Sequence, residues 1–529
     1  MKNEQVKKTM KGALILSIAS LIAKILSAVY RIPFENIVGN TGFYVYQQVY
    51  PIYGIGVAFA LTGFPVYISK LVAEQRDEAT KLRLVQQIFL ILCVFSGAIF
   101  VGLRVFAPFI ALLMGDPQLV VLIKSVAWMF LFMPILAVGR GYYQGTFDMI
   151  PTAISQVTEQ FMRVGMIILA AWAFTLFDWS LYQMGAVAML ASSAGAVVAC
   201  LSFIKFYAKK FFKKTSAPKF SYLYLIEKLF SDGLIICLFA STMVLLQLID
   251  SFTLVRGLLH NGIPAAVAKD LKGIYDRAQP LLQLGMVLAI GFSSTLLPTL
   301  SQALQKRKYA EFRRIAQVML RVSAAISVAA CFGMVVLMPQ INTLLFGDAN
   351  LSAELAVYVG SVIFITLIGT YNSILQSLNQ FLITVVGLLG ALVLKFILNI
   401  WLVGRINIMG ASVATVLSLI FALVFILLFS PEIVKGLFNE GHFWLKLGLA
   451  ITVMLFSVRI FTMSYIHFIG NERSDTLVMS LGGAFLGTLV FLGCALAFKL
   501  FSVREWLMLP GGKKILKVWQ KIIRKEGIL

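Results

Sequence analysis

Long apolar stretches separated by short polar ones occupy most of the chain between residues 11 and 501. Each stretch is about 20 residues or longer, which is enough for a helix to cross a hydrocarbon core of roughly 30 Å. The stretches lie at 11–33, 42–70, 84–113, 119–147, 150–177, 181–208, 224–252, 274–304, 314–346, 352–378, 382–404, 408–429, 443–468 and 476–501. The pattern therefore predicts an all-α, polytopic membrane protein with about fourteen transmembrane helices.

A repeat runs through these apolar segments. Leu-Leu-Met-Gly-Asp at 112–116 returns as Leu-Leu-Phe-Gly-Asp at 344–348, a shift of 232 residues (348 − 116). Pro108 returns as Pro339 with a shift one residue shorter. About six segments fit into one period, so the repeating unit is half of a transporter, and an even number gives both halves the same orientation in the membrane. We therefore expect two pseudosymmetric six-helix lobes around a central cavity, followed by two further helices.

The repeat and the polar loops predict five parts of the chain. These are an N-terminal lobe at 1–210, a basic linker at 211–223, a C-terminal lobe at 224–430, two additional transmembrane helices at 431–502 and a tail at 503–529. The tail alternates Lys and Arg with Ile, Leu, Val and Trp. This basic amphipathic pattern is typical of a segment that lies on an anionic cytoplasmic leaflet.

Composition supports the membrane assignment, and the distribution of charge gives an orientation. Hydrophobic residues make up 60% of the chain and charged residues 13%, with a net charge of +22. The basic residues cluster before the first segment and at 70–83, 209–219 and 306–314. These loops share one side of the membrane if the segments alternate, so the positive-inside rule predicts cytoplasmic N- and C-termini. The same distribution argues against nucleic acid as a partner.

Little in the sequence indicates catalysis or metal binding. The five cysteines lie inside apolar segments without close-spaced pairs, and the three histidines are isolated. Neither a disulfide framework nor a metal site, a cofactor site or a Ser-His catalytic centre is expected. The chain is predicted not to be an enzyme.

Polar residues on one face of the first segment are the clearest candidate site. Ser17, Ser20, Lys24, Ser27 and Arg31 follow one another at spacings of 3, 4, 3 and 4 residues, which puts them on one helix face. A charge at membrane depth is costly and usually faces a cavity, so Lys24 and Arg31 are candidate substrate-binding residues. Alternatively, the serines pack against a neighbouring helix and Arg31 reaches the interface.

The second segment carries an aromatic stripe at helical spacing. Phe43, Tyr46, Tyr50 and Tyr53 share one face, and Pro51 falls inside the segment. Such a stripe is more often packing than a binding surface, and the proline makes this helix a candidate bending element.

The fifth and eleventh segments place basic residues at equivalent positions. Glu159 and Arg163 stand one turn apart, where they can pair with each other. Shifting Arg163 by 232 residues gives Lys395 (395 − 163), at the same depth in the second half. The alternative to local pairing is that Arg163 and Lys395 face one another across the central cavity as substrate-binding residues.

Further candidates lie near the outer ends of the seventh and eighth segments. Arg277 is a candidate substrate-binding residue, and Asp276 precedes it directly. Asp250 lies at the end of the seventh segment. Glu159, Asp250 and Asp276 are the candidate acids for ion coupling or charge pairing.

Several local motifs resemble one known group of transporters. They are Arg31-Ile32-Pro33, Gly63-Phe64-Pro65, Gly141-Tyr142-Tyr143-Gln144-Gly145, and Glu159-Gln160 with Arg163. Together with two six-helix lobes and two extra helices, the chain resembles the multidrug/oligosaccharidyl-lipid/polysaccharide flippase superfamily. It is most similar to the polysaccharide-biosynthesis branch that includes stage V sporulation protein B and the lipid II flippases.

The resemblance implies a flippase of the bacterial cytoplasmic membrane that works by alternating access, without a cofactor and as a monomer. Its cargo would be a polyprenyl-diphosphate-linked saccharide, a precursor of the cell wall or of a polysaccharide. Basic residues in the first, second and eighth segments line the cavity of lipid II flippases, and the matching positions here offer Lys24, Arg31 and Arg277. The second segment departs from that pattern, since it has no Lys or Arg between residues 43 and 68.

Two other classes remain as alternatives. A cation-coupled multidrug exporter would need an acidic cavity, for which Glu159 and Asp250 are the available residues. A membrane glycosyltransferase would need a large outer loop, whereas the longest outer loop, at about 253–272, is short.

Overall fold

The computed structural model describes residues 2–213, 215–437, 442–470 and 472–508, together with residues 512, 513 and 516. All regular elements in this part of the chain are helices, as the apolar pattern predicts. Most of the predicted basic tail, including Lys514, Lys517, Lys521, Arg524 and Lys525, lies outside the described residues.

The helices group into two compact units. Unit 1 comprises Met1–Pro280 with Leu392–Ala414, and unit 2 comprises Leu281–Ala391 with Thr415–Leu529. The segment 392–414 of the C-terminal half therefore packs with the N-terminal half. The boundaries of the two six-helix lobes stay a prediction.

Unit 1 begins with fourteen helices in the described part of the chain. They are α1 (Lys2–Val29), α2 (Arg31–Val57), α3 (Phe64–Glu74), α4 (Glu78–Val105), α5 (Ala107–Leu113), α6 (Val120–Ala127), α7 (Met133–Gly145), α8 (Ile150–Leu176), α9 (Leu181–Leu201), α10 (Ile204–Phe206), α11 (Tyr222–Lys228), α12 (Leu234–Ala240), α13 (Thr242–His260) and α14 (Ala265–Asp276). Short π-helical turns at Ala58–Gly63, Tyr207–Phe211 and Leu229–Gly233, and 3₁₀ turns at Pro117–Leu119 and Trp128–Phe132, join some of them.

Unit 2 contains most of the later helices. They are α15 (Ala278–Gln305), α16 (Tyr309–Val336), α17 (Met338–Phe346), α18 (Ser352–Val359), α19 (Ser361–Ser377), α20 (Leu382–Phe429), α21 (Phe443–Phe468), α22 (Arg473–Ala497) and α23 (Val503–Met508). The short helix α23 packs into the apolar core of this unit through Trp506, which meets Phe501 edge to face at 5.4 Å. An ion pair of 3.5 Å between Arg321 and Glu505 fixes the same helix to α16.

Eleven helical stretches among the described residues are long and apolar enough to cross a membrane. Two of them, Ile15–Glu74 and Leu382–Phe429, each contain two predicted segments. The backbone leaves helical geometry at Gly39 (φ 71°) in the first and at Ile406 and Asn407 in the second, so each is a kinked pair and not one straight rod. The eighth predicted segment corresponds to α15. The number fourteen stays a prediction.

The sequence repeat has a structural counterpart in each unit. In unit 1, α4 breaks at Phe106 and continues as α5, which ends before Gly115 at φ 81°. In unit 2, α16 breaks at Leu337 and continues as α17, which ends at Gly347 at φ 93°. Glycine adopts this left-handed conformation without the steric cost that a Cβ brings. The repeated pentapeptide therefore ends a helix in both copies.

The aspartate that follows each glycine closes the same local turn. Asp116 Oδ1 accepts a hydrogen bond from the backbone N–H of Gln118, and Asp348 Oδ1 accepts one from Asn350. Because both aspartates fall in predicted outer loops, the sequence predicts that both carboxylates are exposed, and this prediction is wrong for Asp116. Its carboxylate is buried, where it accepts a hydrogen bond from Tyr182 Oη at 2.6 Å and pairs with Lys269 Nζ at 2.9 Å.

The two turns give a test of the predicted topology. Cysteine at Gly115 or Gly347 would be strained by the positive φ, so the exposed neighbours Gln118 and Ala349 are better positions. We expect both Gln118→Cys and Ala349→Cys to react with a membrane-impermeant maleimide added to intact cells, because the positive-inside rule puts these turns outside.

Lys306→Cys provides the matched control, since Lys306 is exposed in a loop of the predicted cytoplasmic side. It should react only after the cells are opened, and the parent chain gives the background of the native cysteines. Protection of the two turns together with labelling of Lys306→Cys would mean that the orientation is inverted.

Candidate functional site

Unit 1 holds an unusual number of buried charges. Among the described residues, six basic side chains are no more than 1% exposed: Arg31, Arg140, Arg163, Lys272, Arg277 and Lys395. All but Lys272 belong to segments that the sequence places in the membrane, where each unneutralised charge costs several kcal/mol. The partner of each of these six cations therefore determines what the site can bind.

Four of the six cations form buried ion pairs. They are Arg140 with Glu159 at 2.6 Å, Lys272 with Asp276 at 2.6 Å, Arg277 with Glu35 at 2.6 Å and Lys395 with Asp250 at 2.7 Å. Each pair joins side chains that are at most 6% exposed. These four cations are neutralised within the protein.

The pair between Lys395 and Asp250 ties α20 to α13. Asp250 also accepts a hydrogen bond of 2.8 Å from the side chain of Asn399, one helical turn after Lys395. Asn399 donates a further hydrogen bond to Thr253, one turn along α13. Two successive turns of each helix are thus joined by buried polar contacts, in which the side-chain nitrogen of Asn399 donates twice and its side-chain oxygen has no hydrogen-bond partner.

Glu159 does not pair with Arg163, the partner that its sequence position suggests. Its carboxylate accepts a hydrogen bond from Arg140, whose guanidinium also donates to Ser155 and to the backbone oxygen of Ala60. The cis pairing one helical turn along α8 is therefore wrong. Glu159 instead fastens α8 to α7.

Arg277 and Asp276 likewise turn to different partners. Asp276 pairs with Lys272, one turn earlier on α14. The guanidinium of Arg277 donates to Glu35 and, at 2.6 Å, to the side-chain oxygen of Asn40, which connects the C-terminal end of α14 to α2. Lys272 and Glu35 are site residues that sequence reasoning missed, because they lie near the ends of predicted segments where charges are common.

Arg31 is buried and forms no ion pair among the described residues. None of its three guanidinium nitrogens has a hydrogen-bond partner. The guanidinium carbon lies 4.4 Å from the centre of the Tyr50 ring, so the main contact is with an aromatic face. A buried guanidinium whose N–H groups form no hydrogen bonds is energetically unfavourable unless a bound ligand accepts hydrogen bonds from it.

Arg163 is held by neutral groups. It donates to Gln160 at 2.8 Å and to Ser27 at 3.3 Å, and longer contacts reach the hydroxyls of Tyr30 and Tyr46. Its guanidinium carbon lies 4.6 Å from the centre of the Tyr53 ring. No carboxylate pairs with it among the described residues.

Arg31 and Arg163 share one aromatic environment, here named the arginine–tyrosine cluster. It consists of Arg31, Arg163, Tyr30, Tyr46, Tyr50 and Tyr53. Tyr46, Tyr50 and Tyr53 are the aromatic stripe of the second segment, which was interpreted as packing. The helical spacing of these tyrosines is the feature of the sequence that indicates the cluster.

The packing of α1 on α8 positions this cluster. Ser20 donates to Gln156 at 2.8 Å, and Ser27 accepts from Arg163. Both contacts join residues 136 positions apart, so the two helices lie side by side in one register. The polar face predicted on the first segment therefore faces α8, and its serines allow close packing.

Lys24 lies on the same face, between the two serine contacts. Its side chain is exposed, in contrast to Arg31 and Arg163, and it forms no ion pair within the described part of the chain. The face thus offers one accessible cation near two buried ones.

Arg163 and Lys395 have different partners in the structure, and their position across a common cavity stays a prediction. Lys395 contacts Asp250, whereas Arg163 belongs to the arginine–tyrosine cluster, and the two side chains have no hydrogen-bonding partner in common. The equivalent positions of the repeat therefore differ in chemistry: one cation is neutralised by a carboxylate and the other is not. Among the described residues, no group of three or more His, Cys, Asp or Glu side chains could hold a metal ion.

Comparison with known sequences gives one matching family and several relatives. The profile of a family described as "Polysaccharide biosynthesis protein" matches residues 9–304. Three proteins of Bacillus subtilis (strain 168) are similar. The uncharacterized membrane protein YabM is 34% identical over 98% of each chain. The lipid II flippase MurJ is 26% identical over 79% of this chain and 81% of its own, and stage V sporulation protein B is 26% identical over 78% and 81%.

Solved structures share the fold. A lipid II flippase MurJ in an inward closed conformation matches with a TM-score of 0.69 and 15% identity, covering 92% of this chain and 98% of its own. An inward-facing multidrug resistance MATE family transporter of the MOP superfamily matches with a TM-score of 0.63 and 15% identity, covering 81% and 99%. At these identities the likeness is one of fold.

The buried pair of Lys395 and Asp250 generates a stability prediction. Lys395→Met should lower the free energy of unfolding by about 3–5 kcal/mol, because it leaves the Asp250 carboxylate buried without its cation. The double variant Lys395→Met with Asp250→Asn should recover most of this loss, since it buries no charge. Unfolding by dodecyl sulfate in mixed micelles would measure all three proteins.

The exposed pair of Lys435 and Glu432 is the matched control, because its side chains are 43% and 87% exposed. Lys435→Met should change the free energy by less than about 1 kcal/mol. A double variant that is no more stable than Lys395→Met alone would show that the charges in the Asp250 pair do not determine its contribution.

Proposed function

Because the chain belongs to the polysaccharide biosynthesis protein family, whose characterised relatives here are transporters and not enzymes, we propose that it is a lipid-linked-saccharide flippase. The predicted superfamily, the membrane class and the absence of an enzymatic role are confirmed at this level. Its cargo would be a polyprenyl-diphosphate-linked saccharide that moves from the inner to the outer leaflet of the bacterial cytoplasmic membrane. Alternating access of the central cavity would move it.

The single observation that carries this proposal is the uncompensated charge of the arginine–tyrosine cluster. Of the six fully buried cations, only Arg31 and Arg163 lack a carboxylate partner in the described part of the protein. A diphosphate brings negative charges and several acceptor oxygens, which arginine binds by charge-assisted, often bidentate hydrogen bonds. Such a ligand would accept hydrogen bonds from the guanidinium groups of both Arg31 and Arg163 and would balance their charge.

Neutral donors in the cluster fit the same ligand. The hydroxyl of Tyr53 is buried and has no hydrogen-bond partner. It can donate to a phosphate oxygen, while the tyrosine rings keep the guanidinium groups of Arg31 and Arg163 in place through cation–π contacts. The exposed Lys24 would attract the anion before it reaches the buried arginines.

The relatives narrow the class of saccharide. One is named a lipid II flippase and another a stage V sporulation protein. Both names support a precursor of the cell wall or of a related polysaccharide as the cargo. We further propose cytoplasmic termini, in accordance with the positive-inside rule, and a monomer as the transporting unit.

A cation-coupled multidrug exporter is the alternative, because a MATE transporter shares the fold. That function would require free carboxylates for a cationic drug and a coupling ion. The three acids considered for this role, Glu159, Asp250 and Asp276, are each bound to a cation. The charge balance therefore favours an anionic cargo.

The proposal predicts opposite effects of two buried arginines on stability and transport. Arg31→Met should abolish transport and leave the free energy of unfolding unchanged or higher, because it removes a buried charge that has no partner. Arg140→Met should destabilise the protein by about 3–5 kcal/mol, because it leaves Glu159 unpaired. Complementation of a depleted strain, with the accumulated lipid-linked precursor as readout, would measure transport.

Further variants distinguish a lipid-linked-saccharide flippase from a cation-coupled multidrug exporter. Arg31→Lys should transport better than Arg31→Met and less well than the natural chain, since lysine keeps the charge and loses the bidentate geometry. The exporter alternative predicts instead that Glu159→Gln or Asp250→Asn is most harmful. Full complementation by Lys24→Ala, Arg31→Met and Arg163→Met would rule out the anionic-lipid mechanism.

A further inference from the structure

A cavity of about 690 Å³ opens along unit 1 where α13 ends beside the kink of α20. His260 and Asn261 line it from the end of α13, and α20 contributes Phe396, Ile397, Ile400, Trp401, Gly404 and Arg405. These residues lie outside the arginine–tyrosine cluster. The lining has an apolar wall, formed by Phe396, Ile397, Ile400 and Trp401, and a polar rim, formed by His260, Asn261 and Arg405.

The kink of α20 creates the rim. Asn407 has φ 49° and ψ −133°, so the helix bends one turn after Val403. The side-chain nitrogen of Asn261 donates to the carbonyl of Val403 at 2.9 Å and to the side-chain oxygen of Asn407 at 2.8 Å. Both N–H groups of Asn261 are used in this way. His260 and Arg405 therefore supply the donors that remain for a ligand.

Arg405 is an available cation at the rim. Its side chain is exposed, and its guanidinium carbon lies 5.8 Å from the centre of the Trp401 ring. It forms no ion pair within the described part of the chain. The imidazole of His260 is exposed on the same side of the cavity. An anion that lies between them would meet two donors and no carboxylate from the lining.

The wall and the rim lie at different depths in the membrane. Arg405 falls between the predicted segments 382–404 and 408–429, and tryptophan next to a basic residue is typical of the headgroup level. Phe396, Ile397 and Ile400 precede it by one to three turns within the apolar run and are 48%, 56% and 58% exposed. The cavity therefore combines an anion-binding end with an apolar end that extends toward the hydrocarbon.

We propose that this cavity binds one anionic membrane phospholipid. Its phosphate contacts Arg405 and His260, and one acyl chain lies along the wall from Trp401 to Phe396. A phosphatidylglycerol headgroup fits better than phosphatidylcholine, because the choline cation would lie close to Arg405. The bound lipid bridges α13 and α20, the two helices that the Asp250–Lys395 pair joins about three turns away from His260 and Arg405.

Native mass spectrometry of the purified full-length protein tests this proposal. Phosphatidylglycerol and phosphatidylcholine with identical acyl chains are titrated separately, and the retained lipid per chain is counted. We expect one phosphatidylglycerol to bind about tenfold more tightly than phosphatidylcholine. Arg405→Gln should remove this preference, because it loses one charge-assisted hydrogen bond. Arg459→Gln is the matched control, since Arg459 is an exposed arginine of α21 that does not line the cavity.

A second variant tests the apolar half of the cavity. No atom lies within 4 Å of the position of a Cβ at Gly404, so Gly404→Phe places a ring in the cavity without a backbone clash. Gly404→Phe should weaken the binding of phosphatidylglycerol and of phosphatidylcholine about equally. A variant counts as folded if it elutes from a sizing column and unfolds like the natural chain.

Other ligands give the outcomes that would overturn the proposal. Equal retention of phosphatidylglycerol by Arg405→Gln and Arg459→Gln would do so. Displacement by glycerol phosphate would show that no acyl chain is held. Tighter binding of polyprenyl phosphate than of phosphatidylglycerol would assign the cavity to the transported cargo.

Discussion

The cost of burying charge in a dielectric that cannot solvate it governs the interior of unit 1. Four cations meet this cost with a nearby carboxylate, and three of these contacts join separate elements: α7 with α8, α13 with α20, and α2 with the turn that follows α14. The other two, Arg31 and Arg163, contact aromatic faces, and Arg163 also donates to neutral hydrogen-bond acceptors. The first set joins neighbouring parts of the fold, whereas the second has no carboxylate partner among the described residues, and this difference motivates the proposed function.

Much of the architecture could be predicted from the sequence. Apolar length alone places the helices, because a membrane tolerates few backbone conformations other than the helix. The pentapeptide at 112–116 and 344–348 predicts a duplication, and the left-handed Gly115 and Gly347 explain why its glycine is needed in both copies. The polar face of the first segment is also visible in the sequence, and Ser20 and Ser27 on this face contact α8.

The pairing of charges could not be predicted in the same way. Glu159 has Arg163 one turn away, yet it binds Arg140 because α7 brings a guanidinium closer than the helix surface does. Asp116 has the features of a loop residue, but Lys269 and Tyr182 bury it. Local spacing shows which partners are possible, and only the packing of distant segments selects among them.

The ion pair of Glu35 with Arg277 has a consequence for biosynthesis. The partners are 242 residues apart, so at roughly 5–20 residues per second Glu35 emerges from the ribosome about 10 to 50 s before its counter-charge exists. During this interval the carboxylate needs water, protonation or contact with the insertion machinery. The first helical hairpin must therefore be delivered to the bilayer in an unfinished state, and its final insertion depth is set only when the second half of the chain arrives.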